Sequence, residues 1–538
     1  MVFARRSTTL LAAIIASCAM VLSLTACTSD NKTVVDGQTT VTSNSAGGVA
    51  VFTPSDGITL NQQTPLNKWA KLVPDLTKAL VDAGFKKGDI NHTTSDSLDK
   101  QSRAIQDFVV DHLSNNTTDD SGIAIAPDNM TLLVAPVVEA DASTRQYGDY
   151  VSQNLSTNDV TDEGATSDGE SSKDDSSNTE SDSTASDEQA QAVDRLVSSL
   201  KLAKESGMHV VLLGNSIEGY KPDAFVKFSD AQTIGKLQAE KMVSKLKLDK
   251  ASKDNPKYIE VLLPYTAVDE KGNANDSTFA QEAFRGIWQV LGSYYQKGVV
   301  ESPSGTLDGK STENDWQAVA YDAAKEGSTA KVLDKRLAKT DGQSTLTRID
   351  GIITMNDYIA SEVVKELDDL GYTGSAADIN PQITISGIVG NITGKKDLSR
   401  DAVPDPIKSP ENDNANDSSS SDDDADEDTS ASDKDRDSQW PLVTGYGAYV
   451  SNIPSIVNGK QWMTGMEDRQ TIATDIAQAC AKLNKDEALN SMPSIRSSEV
   501  GGVKKIPTIS EPLLAVSASN LKSALIDPGY ISLADAGL

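Results

Sequence analysis

Short apolar runs alternate along this chain with stretches whose apolar residues recur at helical spacing. That is the pattern of an α/β protein with mostly parallel strands. Gly48-Val49-Ala50-Val51-Phe52 reads as a first strand. After a polar loop, Leu72, Leu76, Ala79, Leu80 and Ala83 line one helix face, and Gly84 ends that helix. Further strands are predicted at Thr131–Ala135, His209–Leu213, Tyr258–Leu263, Gly351–Met355, Gln382–Ser386 and Leu442–Thr444. Helices are predicted between them, among others at Asp230–Leu246, Phe279–Leu291, Tyr358–Leu370 and Asp468–Leu483. Such helices suit right-handed crossovers, and in open α/β sheets the loops at the carboxyl ends of the strands bind ligands. A handful of loops at those strand ends are therefore where a ligand is expected.

Two stretches break the pattern. Residues 156–189 carry 11 acidic residues against one lysine, and 397–439 carry 15 against four basic ones. Their net charges of −10 and −11 supply −21 of the formal −30, so the rest of the chain is only mildly acidic. Both are rich in Ser, Asp, Asn and Thr and poor in apolar residues, so they are expected to be disordered inserts. Asp422 to Asp428 lacks the glycine and distal glutamate of an EF-hand loop, which argues against a calcium site. Residues 27–48 read as a flexible tether.

At the N-terminus Arg5 and Arg6 precede an apolar run from Leu10 to Leu24, too short to span a membrane comfortably, which marks residues 1–26 as a signal peptide. Leu24-Thr25-Ala26-Cys27 resembles the bacterial lipobox, implying cleavage before Cys27, a lipid on its thiol and an extracytoplasmic chain anchored to the cell membrane. The plainer alternative is a secretory signal with an incidental cysteine. Cys18 lies in the leader, so Cys480 is the one thiol left for the folded part and no disulfide framework is expected.

Enzyme chemistry finds little support. His92, His112 and His209 have no second His or Cys at zinc spacing. Gly214-Asn215-Ser216-Ile217-Glu218-Gly219 is one residue too long for a nucleophile elbow. In Gly445-Tyr446-Gly447 the third glycine of a dinucleotide fingerprint is replaced by Val450, and a tight turn explains these glycines better. No basic face with interleaved aromatics exists for nucleic acid. What remains suits a neutral polyol: aromatic faces, with Asn, Asp and Lys for hydroxyl groups.

Six ordered blocks resemble the type I periplasmic sugar-binding proteins, most closely the xylose-binding group. They are Leu66-Asn67-Lys68-Trp69; Phe228-Ser229-Asp230 with the helix through Glu240; Asp350 to Asp357; Val443-Thr444-Gly445; Ile456 through Thr464; and Ile506 to Asn520. Departures accompany them: Tyr446-Gly447 stands where the family has a polar pair with a sugar-binding aspartate, Asn215-Ser216 where the xylose-like group has an arginine, and Ala231 where an asparagine follows the crossing aspartate.

The resemblance implies two Rossmann-like lobes joined by a three-strand hinge, residues 49–228 with 466–505 forming one lobe and 229–465 with 506–538 the other. It implies a sugar or polyol in the interlobe cleft, no cofactor, no catalysis, a monomer, and delivery to an ABC permease. The competing reading is a sensor ectodomain that serves a membrane signalling partner without transport. Trp69 would stack on the ring, or simply pack at its helix start. Asn356 and Asp357 would bind hydroxyls from the other lobe, or cap the following helix, and Asp230 has the same pair of roles. Lys68, Asp56, Glu139, Asn215 and Trp316 complete the candidates. Tyr446 and Tyr449 would stack in place of the missing aspartate.

Overall fold

The computed structural model describes residues 32–35, 38–41, 46–55, 65–115, 125–138, 142–156, 180–266, 277–323, 325–338, 346–377 and 438–538. The chain divides into two units, residues 1–45 and 46–538. In the first, Lys32–Val35 pairs antiparallel with Gln38–Val41. This hairpin lies inside the expected tether, where β-branched residues flank Asp36-Gly37, a strong hairpin signal.

The second unit holds two doubly wound sheets. In the first, the strands run in spatial order Ile90–Ser95, Gly48–Pro54, Met130–Val134, His209–Leu213, Ala224–Lys227, Val503–Ser510 and Ile495–Val500. All pairs are parallel except the closing hairpin of the last two. Side chains alternate across this sheet as strand geometry demands. Val49, Val51, Leu133, Val211 and Leu213 meet helices Trp69–Asp82 and Arg469–Leu483, while Ala50, Phe52, Leu132, Val134, Val210 and Leu212 meet helices Leu98–Asn115 and Glu180–Glu205. Burial on both faces explains why these strands read as unbroken apolar runs.

The second sheet runs Val300–Glu301, Lys257–Val261, Gly351–Ile353, Leu442–Tyr446, Met463–Met466 and Leu514–Ser517, parallel but for its last pair. In both sheets the first strand lies between the second and the third, so each has a switch point beside its first strand. The chain passes between the sheets three times, at Phe228–Asp230, Glu467–Asp468 and Glu511–Leu513. The two-lobed α/β architecture that the resemblance implies is thus present.

Three details differ from expectation. The third passage was expected at 505–506, but Val503–Ser510 lies wholly in the first sheet because Thr508, Ile509 and Ser510 pair with Phe225, Val226 and Lys227. The first insert was expected to extend through Gln189, but the helix Glu180–Glu205 begins within its last residues. The strand Ile90–Ser95 was not foreseen: it is an edge strand, INHTTS, and four of its six residues are exposed. The predicted strand Gln382–Ser386 and most of the second insert lie outside the described residues.

Helices Ala231–Leu246 and Thr278–Gln296 approach closely at two glycines. A Cβ on Gly286 would stand 2.0 Å from the Gln232 carbonyl oxygen, and one on Gly235 2.2 Å from that of Ala283. Backbone cannot move aside as a side chain can. Gly286→Ala is therefore expected to destabilise the chain by about 1–3 kcal/mol, although alanine is the better helix former. Urea unfolding should show a lower midpoint at unchanged slope.

Candidate functional site

After the strand Met130–Val134 the chain forms a short helix, Ala142–Arg145, and then a strap, Gln146–Gln153, that lies between the lobes. The strap leads into the strand Asn154–Leu155, which pairs with Ser216–Ile217. Its residues meet the loops of Lys68-Trp69, Asn215, Asn356 and Tyr449, where ligand contacts were expected.

On the first lobe, Asp149 accepts from Lys68 Nζ at 2.8 Å and from the Trp69 amide at 3.1 Å, and its own amide donates to the Asn67 carbonyl at 2.8 Å. The Tyr150 hydroxyl donates to the Lys68 carbonyl. Its ring stacks on Phe228, 4.9 Å away at 27°, and meets Trp69 edge-on at 5.1 Å. The Gln153 amide donates to Asn215 Oδ1 at 2.9 Å, and the Ser152 amide to the Ser229 carbonyl at 3.0 Å. Gly148 permits this path: its φ is +97°, and a Cβ there would lie 2.6 Å from the Asn67 carbonyl oxygen.

On the second lobe, Asn356 Nδ2 donates to Gln146 Oε1 at 3.1 Å, and the Tyr449 hydroxyl donates to the Gln146 carbonyl at 2.8 Å. Tyr147 belongs to the second lobe's core, with its ring 4.8 Å from Phe279 and 6.3 Å from Tyr446. Met355, buried at the end of Gly351–Ile353 in the left-handed region at φ +68°, turns the chain into Asn356-Asp357. Strain of this sort in a bulky residue marks a position that the surrounding packing over-determines.

Asn356 caps the helix Asp357–Leu370 by accepting from the Ile359 amide at 2.9 Å. Asp357 is fully buried: one carboxylate oxygen accepts from Gln461 Nε2 at 2.7 Å, the other from the Tyr449 amide at 2.9 Å and Thr464 Oγ1 at 2.8 Å. Burial outweighs these donors and pushes its pKa up to about 6. Gly445 makes room for it, since a Cβ there would fall 2.2 Å from Asp357 Oδ1.

Beside the strap, two of the passages between lobes are tied together. Glu467 accepts from the Ser229 amide at 2.5 Å and from the Tyr446 hydroxyl at 3.4 Å, and Tyr446 also bonds Ser229 Oγ. Glu467 is buried, which pushes its pKa up to about 7. Asp230, on the first passage, caps the helix Ala231–Leu246 through the Thr233 amide and pairs with Lys227 at 2.9 Å.

Lys68, Trp69, Asn215, Asn356, Tyr446 and Tyr449 are thus gathered around one strap. Asp357 sits behind Tyr449 and Asp230 beside the first passage. Trp316 meets Tyr265 edge-on at 5.2 Å in the second lobe's core. Asp56, Glu139 and Cys27 lie outside the described residues. Gln146, Tyr147, Asp149, Tyr150, Gln461, Thr464 and Glu467 were not foreseen as site residues. The one visible signal was the pair of tyrosines in Gln146-Tyr147-Gly148-Asp149-Tyr150, two aromatics in an otherwise polar linker.

No family model matches the chain, and no curated protein does. Solved structures are similar over most of its length. A solute-binding protein of an ABC transporter from Clostridium phytofermentans, with bound β-D-glucose, is 17% identical with a TM-score of 0.45, covering 91% of this chain and 99% of its own. A carbohydrate-transporter solute-binding protein from Chloroflexus aurantiacus, in complex with D-glucose, is 17% identical with a TM-score of 0.44, covering 92% and 98%. One from Bacillus halodurans with bound myo-inositol is 11% identical with a TM-score of 0.36, covering 89% and 98%.

Proposed function

We propose that this chain is an extracytoplasmic solute-binding lipoprotein, held to the membrane by lipid on Cys27, that takes a sugar or similar polyol between its lobes and delivers it to an ABC permease. One observation carries the reading: loops from both doubly wound sheets, Lys68-Trp69 and Asn215 on one side and Asn356 and Tyr449 on the other, converge on the same strap beside the passages that join the lobes. A group touching both lobes is what shifts such a molecule between open and closed forms. The side chains gathered there are aromatic, amide and hydroxyl groups with one lysine already paired to Asp149, which suits an uncharged, hydroxyl-bearing solute. Among the described residues they form no nucleophile, base and orienter set, and binding is the role they support.

The test is thermal unfolding with D-glucose, D-ribose, D-allose, L-arabinose and myo-inositol, run on the native chain and on Gly148→Ala, in which the strap cannot keep its path. A bound solute at a hundredfold its Kd adds about 2.7 kcal/mol of stability, a rise of several degrees in Tm. At least one of these solutes is expected to raise the Tm of one of the two proteins. Silence across the panel from both proteins overturns the sugar reading.

A further inference from the structure

We propose that the strap Gln146–Gln153 is a built-in occupant of the interlobe site, which holds the lobes closed by its own contacts and which a solute must displace.

Its contacts are those of a ligand. It offers Asp149 to Lys68 and to the Trp69 amide, the Gln153 amide to Asn215, a side-chain oxygen to Asn356 and a carbonyl to Tyr449. It adds one aromatic ring to each lobe, Tyr150 on the Trp69 and Phe228 side and Tyr147 on the Phe279 and Tyr446 side. A segment that bonds both halves lowers the free energy of the closed form alone, as a solute touching both would. The occupant is also imperfect. Asn67 Nδ2, buried below the strap, has no hydrogen-bond partner among the described residues. An unmet buried donor is costly, so a hydroxyl-bearing molecule that reached it would have an advantage over the strap.

The strap is one piece of backbone, and a single glycine keeps it in place. Gly148 has the left-handed φ and the contact with Asn67 that any side chain would spoil. Gly148→Ala therefore dislodges the strap while leaving every expected ligand-contact side chain unchanged. The inference rests on the proposed function only for the identity of the displacing solute; the strap's hold on the lobes is tested without any sugar.

The experiment places spin labels on the two lobes at Lys78→Cys, on the first-lobe helix Trp69–Asp82, and at Lys325→Cys, in the turn before the second-lobe helix Ser328–Arg336, both exposed side chains. The native Cys480 is buried and will not label. The protein is the chain from Thr28 to Leu538, and distances are read by pulsed electron resonance with no sugar present. The native strap is expected to give one narrow interlobe distance, and Gly148→Ala to raise the population of longer distances by about tenfold or more. Equal distributions in the two proteins overturn the inference. Hydrogen exchange in the unsubstituted chain supplies the check should the variant fold poorly. The amides of Asp149, Ser152 and Gln153 are expected to be protected, and exchange at the rate of an unstructured peptide overturns it as well. If the variant opens and no sugar of the panel binds it, the occupant stands and the sugar reading falls.

Discussion

Replacing Trp69 with alanine is expected to lower the unfolding free energy by about 3–5 kcal/mol, the range for a large aromatic removed from a packed interior. The indole is 2% exposed. It meets Tyr150 and Phe228 edge-on, at 5.1 and 5.7 Å, and two of its ring carbons would lie within 3.7 Å of a Cβ on Gly214. Its backbone amide is bound by Asp149, so the strap cannot collapse into the vacated space without giving up that bond. The size of the loss separates the two roles the sequence left open. A tryptophan that only stacked on a solute at a solvent-lined surface would cost little stability when truncated, whereas one that seats the strap costs most of its packing. Urea unfolding reads the difference, and Trp69→Phe should recover more than half of the loss because an aromatic face still meets Tyr150. A change below about 1 kcal/mol would show that the ring is not part of a packed core.

The distinction shows where sequence reasoning succeeds on this chain. Central strands such as Val49–Phe52 and Val210–Leu213 are legible because parallel pairing with helices on both sides demands continuous apolar runs. The edge strand Ile90–Ser95 is not, since one side faces solvent and its composition is that of a loop. The candidate residues around Lys68-Trp69 and Asn356-Asp357 could be named because each lies at the carboxyl end of a strand or the start of a helix. Their partners could not be named, because the strap comes from a linker with no periodicity and reaches them across long stretches of sequence. Gly445-Tyr446-Gly447 illustrates the limit. The pair of glycines suggests a turn, but only Gly447, at φ +114°, needs that freedom. Gly445 is small because Asp357 occupies the space beside it. Tyr446, expected as a stacking group, uses its hydroxyl to join Ser229 and Glu467.

Stability is expected to fall as pH rises from about 4.5 to 8, opposite to the acid loss common in proteins rich in paired carboxylates. Glu467 and Asp357 drive the fall, against His92 and His112, whose pKa values burial lowers and whose contribution therefore rises with pH up to about 6.5. Their folded pKa values, about 7 and about 6, lie above the ordinary values of 4.5 and 3.8. The native state therefore holds protons that the unfolded chain releases over that interval, and unfolding becomes easier as pH increases. The stabilisation is complete below about pH 4, and it declines through about pH 6 for Asp357 and about pH 7 for Glu467. At 1.36 kcal/mol per unit, each carboxyl contributes on the order of 3 kcal/mol across its window. The groups facing Glu467 do not reverse the sign: the Ser229 amide and Tyr446 hydroxyl favour its anion, but desolvation exceeds them and Asp230 adds repulsion. Around Asp357 the Tyr449 and Ala448 amides, Thr464 and Gln461 oppose desolvation without overcoming it. Glu467→Gln preserves the oxygen that accepts from Ser229 while removing the titration, and is the cleaner variant. Asp357→Asn would turn an amide donor toward Gln461 or Thr464. Melting curves from pH 4.5 to 8 should show a steep decline for the native chain and a shallower one for Glu467→Gln above about pH 5.5. Identical slopes would mean that burial does not hold a proton on Glu467 in the folded chain.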